Sequence, residues 1–343
     1  MVNMQSKQNY GQFGSSLSRP DGPTVEQLLA STKEDMQENT EQLSEGKVGQ
    51  VYVLYHADAD GRVAGWCAWS KLRKNGIFHA KFYEVQYGQP IPLDVDALQP
   101  EDMVYVLDFS YDRQTLNKIF DRVNQLVVLD HHKTAEEELR NAPYAIFNMD
   151  KSGALLAWEY FYGGEPAPLT VTLTNDRDLW KFEYPQTRPF LSAVAYHGLR
   201  SDFELWDRLA NEQGLIGKWV ETGTIVEQSN RQQVKACTSA PGVVTLVNWG
   251  GFKAGLFNTT AHISDCSEQV YLNKDLNVDL SMSYQFVEHG CIVFSLRSSK
   301  ESNIDVSQLA KQNGGGGHKN AAGFKLSNQA GLQLLWALYG VRI

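Results

Sequence analysis

Cysteine is scarce in this chain and scattered: Cys67, Cys237, Cys266 and Cys291 form no CxxC pair and no short zinc-ligand spacing. That counts against a disulfide scaffold and a cysteine zinc site, and free thiols in a reducing cytoplasm are expected. Long apolar runs are missing as well. No stretch of about 18 apolar residues is present, and the first residues lack the basic-then-apolar order of a secretory signal, so a cytoplasmic chain without a membrane partner is expected. Positive charge is in deficit, with 31 Lys and Arg against 40 Asp and Glu for a net charge of -9. A broad electrostatic grip on long duplex nucleic acid is thereby disfavoured. A small anionic ligand held locally fits better, the more so if some acids bind metal, because each dication offsets two of them.

What is present suggests two domains, since 343 residues exceed what one hydrophobic core usually serves. Residues 1–48 are rich in Gln, Ser, Gly, Asn and Glu and read as a polar N-terminal arm, with a helix expected over 25–42 behind Thr24 as N-cap. From Gln50 onward, short apolar runs alternate with helical spacings: VYVLYH then RVAGWCAWSKLRKNG, MVYVLDFS then RQTLNKIFDRV, QLVVLDHH then AEEELRNA. Alternation of this kind implies right-handed crossovers and a mainly parallel sheet. Trp66, Trp69 and Trp158 sit at helical spacing in apolar stretches and are expected in the core. The expected organisation is a parallel-sheet α/β domain over 49–204, a helical linker over 205–240, and a smaller α/β domain over 241–343.

The first three apolar runs stay apolar almost to their last residue and then deliver a polar group: His56 with Asp58 and Asp60, Asp108, and Asp130 with His131 and His132. In an open parallel sheet such groups gather in the crevice outside the strand ends. The stretch 172–179 reads as a fourth run that ends in Asp176 and Asp178. Acids and imidazoles gathered at one edge need cations among them. Mixed nitrogen and oxygen ligands suit manganese, zinc, iron or cobalt, and two ions about 3.5–4 Å apart suit in-line displacement at phosphorus.

The strings HADADG, VLDFS, LDHH and NDRD resemble, in order and spacing, the four motifs of the DHH phosphoesterase superfamily. The string GGGGHKNAAGF, preceded by SLRSS and NIDVSQLAK, resembles the DHHA1 substrate domain of its nanoRNase and cyclic-dinucleotide phosphodiesterase branch. The resemblance implies two divalent ions, most often Mn2+, held by His56, Asp58, Asp60, Asp108, His131 and Asp176, with Asp108 as the bridge. It leaves Asp178 for Arg177 or Arg188. Asp130 is implied to orient His131, and His132 to face the substrate phosphate, so that Asp108, Asp130, His131 and His132 form the catalytic set.

In the second domain, Arg297, His318 and Gly315, Gly316 and Gly317 are implied to bind substrate. The glycine amides read as an anion cradle ahead of a helix starting near Asn320. Lys133 and Arg62 are read either as phosphate contacts or as surface cations. The expected activity is two-metal hydrolysis of short oligonucleotides or linear dinucleotides to 5′-mononucleotides. The rivals are a RecJ-like single-strand exonuclease, a phosphatase for cyclic dinucleotides or 3′-phosphoadenosine 5′-phosphate, and a nucleotide-sensing protein without catalysis. A homodimer is a further expectation.

Overall fold

In a computed structural model of the chain, residues 49–288 and 290–340 are described. The polar arm and the helix expected over 25–42 lie outside the described residues. The first sheet comprises β1 (Val51–His56), β2 (Lys81–Val85), β3 (Met103–Leu107), β4 (Gln125–Asp130) and β5 (Ala145–Phe147), in the order β2-β1-β3-β4-β5. All neighbours are parallel. Helices α1 (Ala59–Lys74), α2 (Arg113–Phe120), α3 (Lys133–Glu138), α4 (Gly153–Tyr162), α5 (Leu169–Asp178), α6 (Thr187–Tyr196) and α7 (Phe203–Asn211) complete this half.

Parallel strands covered on both faces read as continuous apolar runs, and β3 is buried along its whole length. Along β1 the pleat sends Val51, Val53 and Tyr55 into one core with Trp66 and Trp158, while Leu54 joins Val104 and Val106 in the core on the opposite face. Trp69 packs at the margin of the first core, as its spacing implies.

The chain leaves β1 for β2 on one side and returns across β1 to β3, so the strand order reverses between β1 and β3. A crevice opens at such a reversal. The register Tyr55 to Leu107 to Leu129 then brings His56, Asp108 and Asp130, the next residue of each chain, to neighbouring places on one sheet edge.

Helix α8 (Leu215–Ser239) starts after Gly214, which takes the left-handed conformation at φ 79°, and leads to a second sheet. That sheet contains β6 (Thr245–Trp249), β7 (Phe252–Asn258), β8 (Leu280–Val287), β9 (Cys291–Arg297), β10 (Gly316–His318) and β11 (Ala321–Ser327), in the order β10-β11-β9-β8-β7-β6. It is mixed, with β7 and β8 parallel. Helices α9 (Ile263–Leu272), α10 (Val306–Lys311) and α11 (Asn328–Leu338) accompany it. The architecture is therefore a parallel-sheet α/β unit, a helical region and a second α/β unit with its own core of Leu256, Met282, Phe294 and Phe324. No helix among the described residues is long and apolar enough to cross a membrane.

Two sequence expectations are corrected here. The stretch 172–179 is not a strand but the end of helix α5. No helix begins near Asn320: residues 316–327 form an antiparallel hairpin, with Gly317 at φ 135°, a value that glycine alone adopts readily, and paired to Ala322.

Candidate metal centre

Among the described residues, four groups of possible ligand atoms each have all their atoms within 4.8 Å of one another; besides His131 with His132 and His318, and Asp108 with Asp130 and His132, two of them are His56 with Asp58 and Asp108, and Asp60 with Asp108 and His131. Asp108 belongs to both, and its two oxygens serve different neighbours. Oδ2 lies 3.7 Å from His56 Nδ1, and Oδ1 lies 3.1 Å from His131 Nε2. Asp58 Oδ2 is 2.9 Å from His56 Nδ1, and Asp60 Oδ2 is 3.7 Å from His131 Nε2.

This placement is held by unusual backbone. Asp108 is a non-glycine residue at φ 55°, the kind of strained conformation that persists where the surroundings over-determine it. A Cβ on Gly153 would lie 2.3 Å from Asp108 Cβ and 2.6 Å from Cγ, so the start of α4 fits against Asp108 only as glycine. The same helix start fixes Asp60, because Gly153 N donates to Oδ2 at 2.6 Å and Ala154 N to Oδ1 at 3.1 Å. An anion at a helix N-terminus is favoured by the free amides there.

Electrostatics identifies what the cluster wants. Burial, reinforced by Asp60 and Asp58, pushes the Asp108 carboxyl well above the usual carboxylate range. Burial and Asp58 likewise raise Asp60, and burial with Asp60 pushes Asp178 up to about 7. Burial would lower the His56 imidazolium, yet the Asp108 and Asp58 carboxylates push it up to about 11. Both Asp108 oxygens, His56 Nδ1, His131 Nδ1 and Asp178 Oδ2 are buried without a hydrogen-bond partner. Buried polar atoms are normally satisfied. A set of acceptors that face one another without donors fits divalent cations, which would reverse the cost of crowding the carboxylates.

Not every expected ligand joins the cluster. Asp176 is buried but turned away, accepting from Glu183 N at 2.9 Å, Tyr184 N at 3.2 Å and the Thr187 hydroxyl. Asp178 approaches instead, with Oδ2 3.4 Å from His131 Nε2. Helix geometry is the reason, since residues two apart point to nearly opposite sides of a helix, whereas on a strand they would share a face. Nor is Asp178 needed by Arg188, which bonds Asp265 at 2.5 Å and Glu268 at 3.0 Å.

Asp130 is fully buried and does a different job from the one expected. Its Oδ1 lies 2.7 Å from His132 Nδ1 and accepts from the backbone of His131 at 2.7 Å and His132 at 3.1 Å, while Oδ2 accepts from Ser110 at 2.6 Å. It therefore aims the ring of His132 and not that of His131. Arg62 is likewise committed, to Glu84 at 2.6 Å and the Ala57 carbonyl at 3.1 Å.

No protein-family model matches the chain. Uncharacterized protein R106 of Acanthamoeba polyphaga mimivirus is 32% identical over 301 residues, which cover 81% of this chain and 68% of R106. Among solved structures, a DHH domain described as a member of the s1p family of ribosomal proteins, PF0399, matches with a TM-score of 0.58 at 13% identity, over 92% of each chain. RecJ from Thermus thermophilus, solved with Mn2+, matches with a TM-score of 0.50 at 15% identity, over 93% of this chain and 55% of RecJ. The chain belongs to one family with R106 and has the fold of a DHH domain.

In this DHH fold the second sheet supplies the opposite wall of a cavity of about 1330 Å³, lined from one side by Asp58, Asp108 and His132 and from the other by Arg297, Gly316 and His318. His318 stacks on His132 with ring centroids 4.3 Å apart and lies 4.6 Å from His131. Burial and these two imidazoles hold its pKa well below the usual histidine value. Arg297 is lowered to about 10 by burial and by Arg177, and it donates to Leu296 O at 2.9 Å.

The glycine run is not an open cradle. Gly314 N and Gly315 N donate to carbonyls of α10 at 3.1 and 3.0 Å, and Gly317 N donates to Thr134 Oγ1 at 3.3 Å. Its smallness matters in another way: a Cβ on Gly316 would meet Thr134 Oγ1 at 2.8 Å, so at that residue β10 lies against α3 too closely for a side chain unless Thr134 moves. Lys133, open to two readings from sequence, pairs across the cleft with Asp305.

Two residues escaped the sequence reading. Gly153 looked like an ordinary helix start. Tyr87 stood outside every motif, yet it lines the cavity beside Asp58 and His132.

Proposed function

We propose that this chain is a metal-dependent phosphodiesterase that cleaves short oligonucleotides or linear dinucleotides to 5′-mononucleotides, with manganese as its ion. The observation that carries this reading is the pair of ligand groups sharing Asp108, with its buried acceptors left without donors. His56, Asp58 and Asp108 would hold one ion, and Asp60, Asp108, His131 and Asp178 the other. Bound there, the ions supply Lewis-acid stabilisation of the phosphoryl oxygens and an activated nucleophile at neutral pH.

The protein's own groups do the rest. Asp130 fixes the His132 ring through Nδ1, which leaves Nε2 to meet a phosphate oxygen. His318 and Arg297 line the facing wall and offer N–H donors to the same anion. A short ligand is favoured by the acidic balance of the chain and by the contacts that span the cleft on both flanks, Lys133 to Asp305 and Arg188 to Asp265.

The test is hydrolysis of a 5′-phosphorylated diribonucleotide, a pentaribonucleotide, a cyclic dinucleotide and a long single strand, each with manganese, with chelator, and with Asp108→Ala. The shortest linear substrates are expected to turn over fastest. Chelation should abolish that turnover, and Asp108→Ala should lower it by more than about 100-fold, the upper range for groups that merely support a ligand. Preference for the long strand would move the assignment to a RecJ-like exonuclease. Absence of manganese-dependent turnover throughout would leave a nucleotide sensor.

A further inference from the structure

Tyr87 lies in the loop that follows β2, the edge strand of the first sheet, and it is 51% exposed. Its ring packs on Phe109, with centroids 4.4 Å apart and planes 35° from parallel. It meets His56 and His132 edge-on at 5.5 and 5.8 Å. No ring is stacked parallel on it among these contacts. A large aromatic side chain that remains half exposed beside a buried cluster of carboxylates and imidazoles contributes little to a core, and its free surface forms part of the cavity wall.

Its place in the row of strand ends gives that surface a use. Following the sheet order, Tyr87 comes after β2, His56 and Asp58 after β1, Asp108 after β3, and His131 and His132 after β4. The second domain meets the β4 end, where Gly317 N reaches Thr134 of α3 and His318 stacks on His132. The second domain thus meets the row at its β4 end, while Tyr87, rooted after β2, leans over the row against Phe109 and to within 5.8 Å of the His132 ring. A phosphodiester centred over Asp108 has a nucleoside on each side, and the one on the β2 side, away from His318, comes under the Tyr87 ring.

We propose that Tyr87 is a substrate-positioning residue that stacks on the nucleobase lying on the β2 side of the scissile phosphate; this rests on the phosphodiesterase reading above. Every base offers a π-face, so such a platform grips purines and pyrimidines alike and confers length preference without base preference. Loss of one stacked base corresponds to about a 5- to 150-fold change in binding.

The test compares KM and kcat of the full chain with manganese on a 5′-phosphorylated diadenylate and on the same backbone with abasic riboses. Tyr87→Leu is expected to raise KM for diadenylate by about 5- to 150-fold, with kcat little changed and KM for the abasic substrate unmoved. Tyr87→Phe and Tyr87→Trp should keep KM for diadenylate within a few-fold of the original. An equal rise on both substrates, failure of the Phe and Trp variants to restore KM, or no rise at all would overturn the proposal and leave the phosphodiesterase reading intact. No turnover of either substrate by the unaltered chain would overturn both.

Discussion

Asp178→Ala is expected to leave the metal-free protein at least as stable as the unaltered chain while removing the rise in melting temperature expected on adding manganese. Asp176→Ala is expected to do the reverse. Asp178 contributes a carboxylate to a crowd in which burial and Asp60 already raise its pKa to about 7, so its removal relieves repulsion and deletes one ligand. Asp176 accepts from two backbone amides and the Thr187 hydroxyl in a buried setting. Stripping those donors of their acceptor costs about 1–3 kcal/mol for each group left unsatisfied, or roughly 10 °C in melting temperature for a domain of this size. Thermal unfolding of both variants, with and without manganese, decides the matter. Should Asp176→Ala lose the manganese effect while keeping its metal-free stability, the assignment of Asp178 to the cluster is wrong.

Gly153→Ala is the second large effect. One methyl group would sit 2.3 Å from Asp108 Cβ and 2.7 Å from Oδ1, contacts that force one backbone to move. Asp108 cannot yield easily, being held at φ 55° with its amide bonded to Leu129 O at 2.8 Å. The start of α4 must shift instead, and it carries the two amides that hold Asp60. Asp60, a ligand of the second group, is then pulled away from Asp108 by that one substitution. Overpacking costs about 1–3 kcal/mol in stability, but displacement of reacting groups by about 1 Å costs on the order of 100-fold in rate. Manganese affinity measured by calorimetry and kcat/KM on a dinucleotide should therefore both fall far more than the melting temperature does. Unchanged manganese affinity would show that the cluster tolerates the shift.

These two cases also mark where the sequence was legible and where it was not. VYVLYH, MVYVL and QLVVLD announced themselves because a strand buried on both faces has to be apolar until its final residue. That final residue was therefore conspicuous, and His56, Asp108 and the Asp130 to His132 run could be read directly. Asp176 and Asp178 could not be separated, because the choice depends on whether the backbone there has a period of 3.6 or of 2, and a ten-residue segment of mixed polarity decides neither. The glycine string was conspicuous for composition alone. Its partners, Thr134 and the α10 carbonyls, come from contacts across the fold that no local pattern encodes. Gly153 belongs to the same class: its requirement is written in the position of Asp108, forty-five residues earlier in the chain.

The ion pairs that tie the two halves together sit at the two flanks of the cleft: Lys133 with Asp305 and Lys311 with Glu137 on one, Arg188 with Asp265 and Glu268 on the other. Surface pairs of this kind contribute only about 0–1 kcal/mol each and weaken as salt rises. Together they resemble a latch held by several light springs, one that rising salt loosens. Under the phosphodiesterase reading, a turnover limited by separation of the two halves would quicken as ionic strength rises.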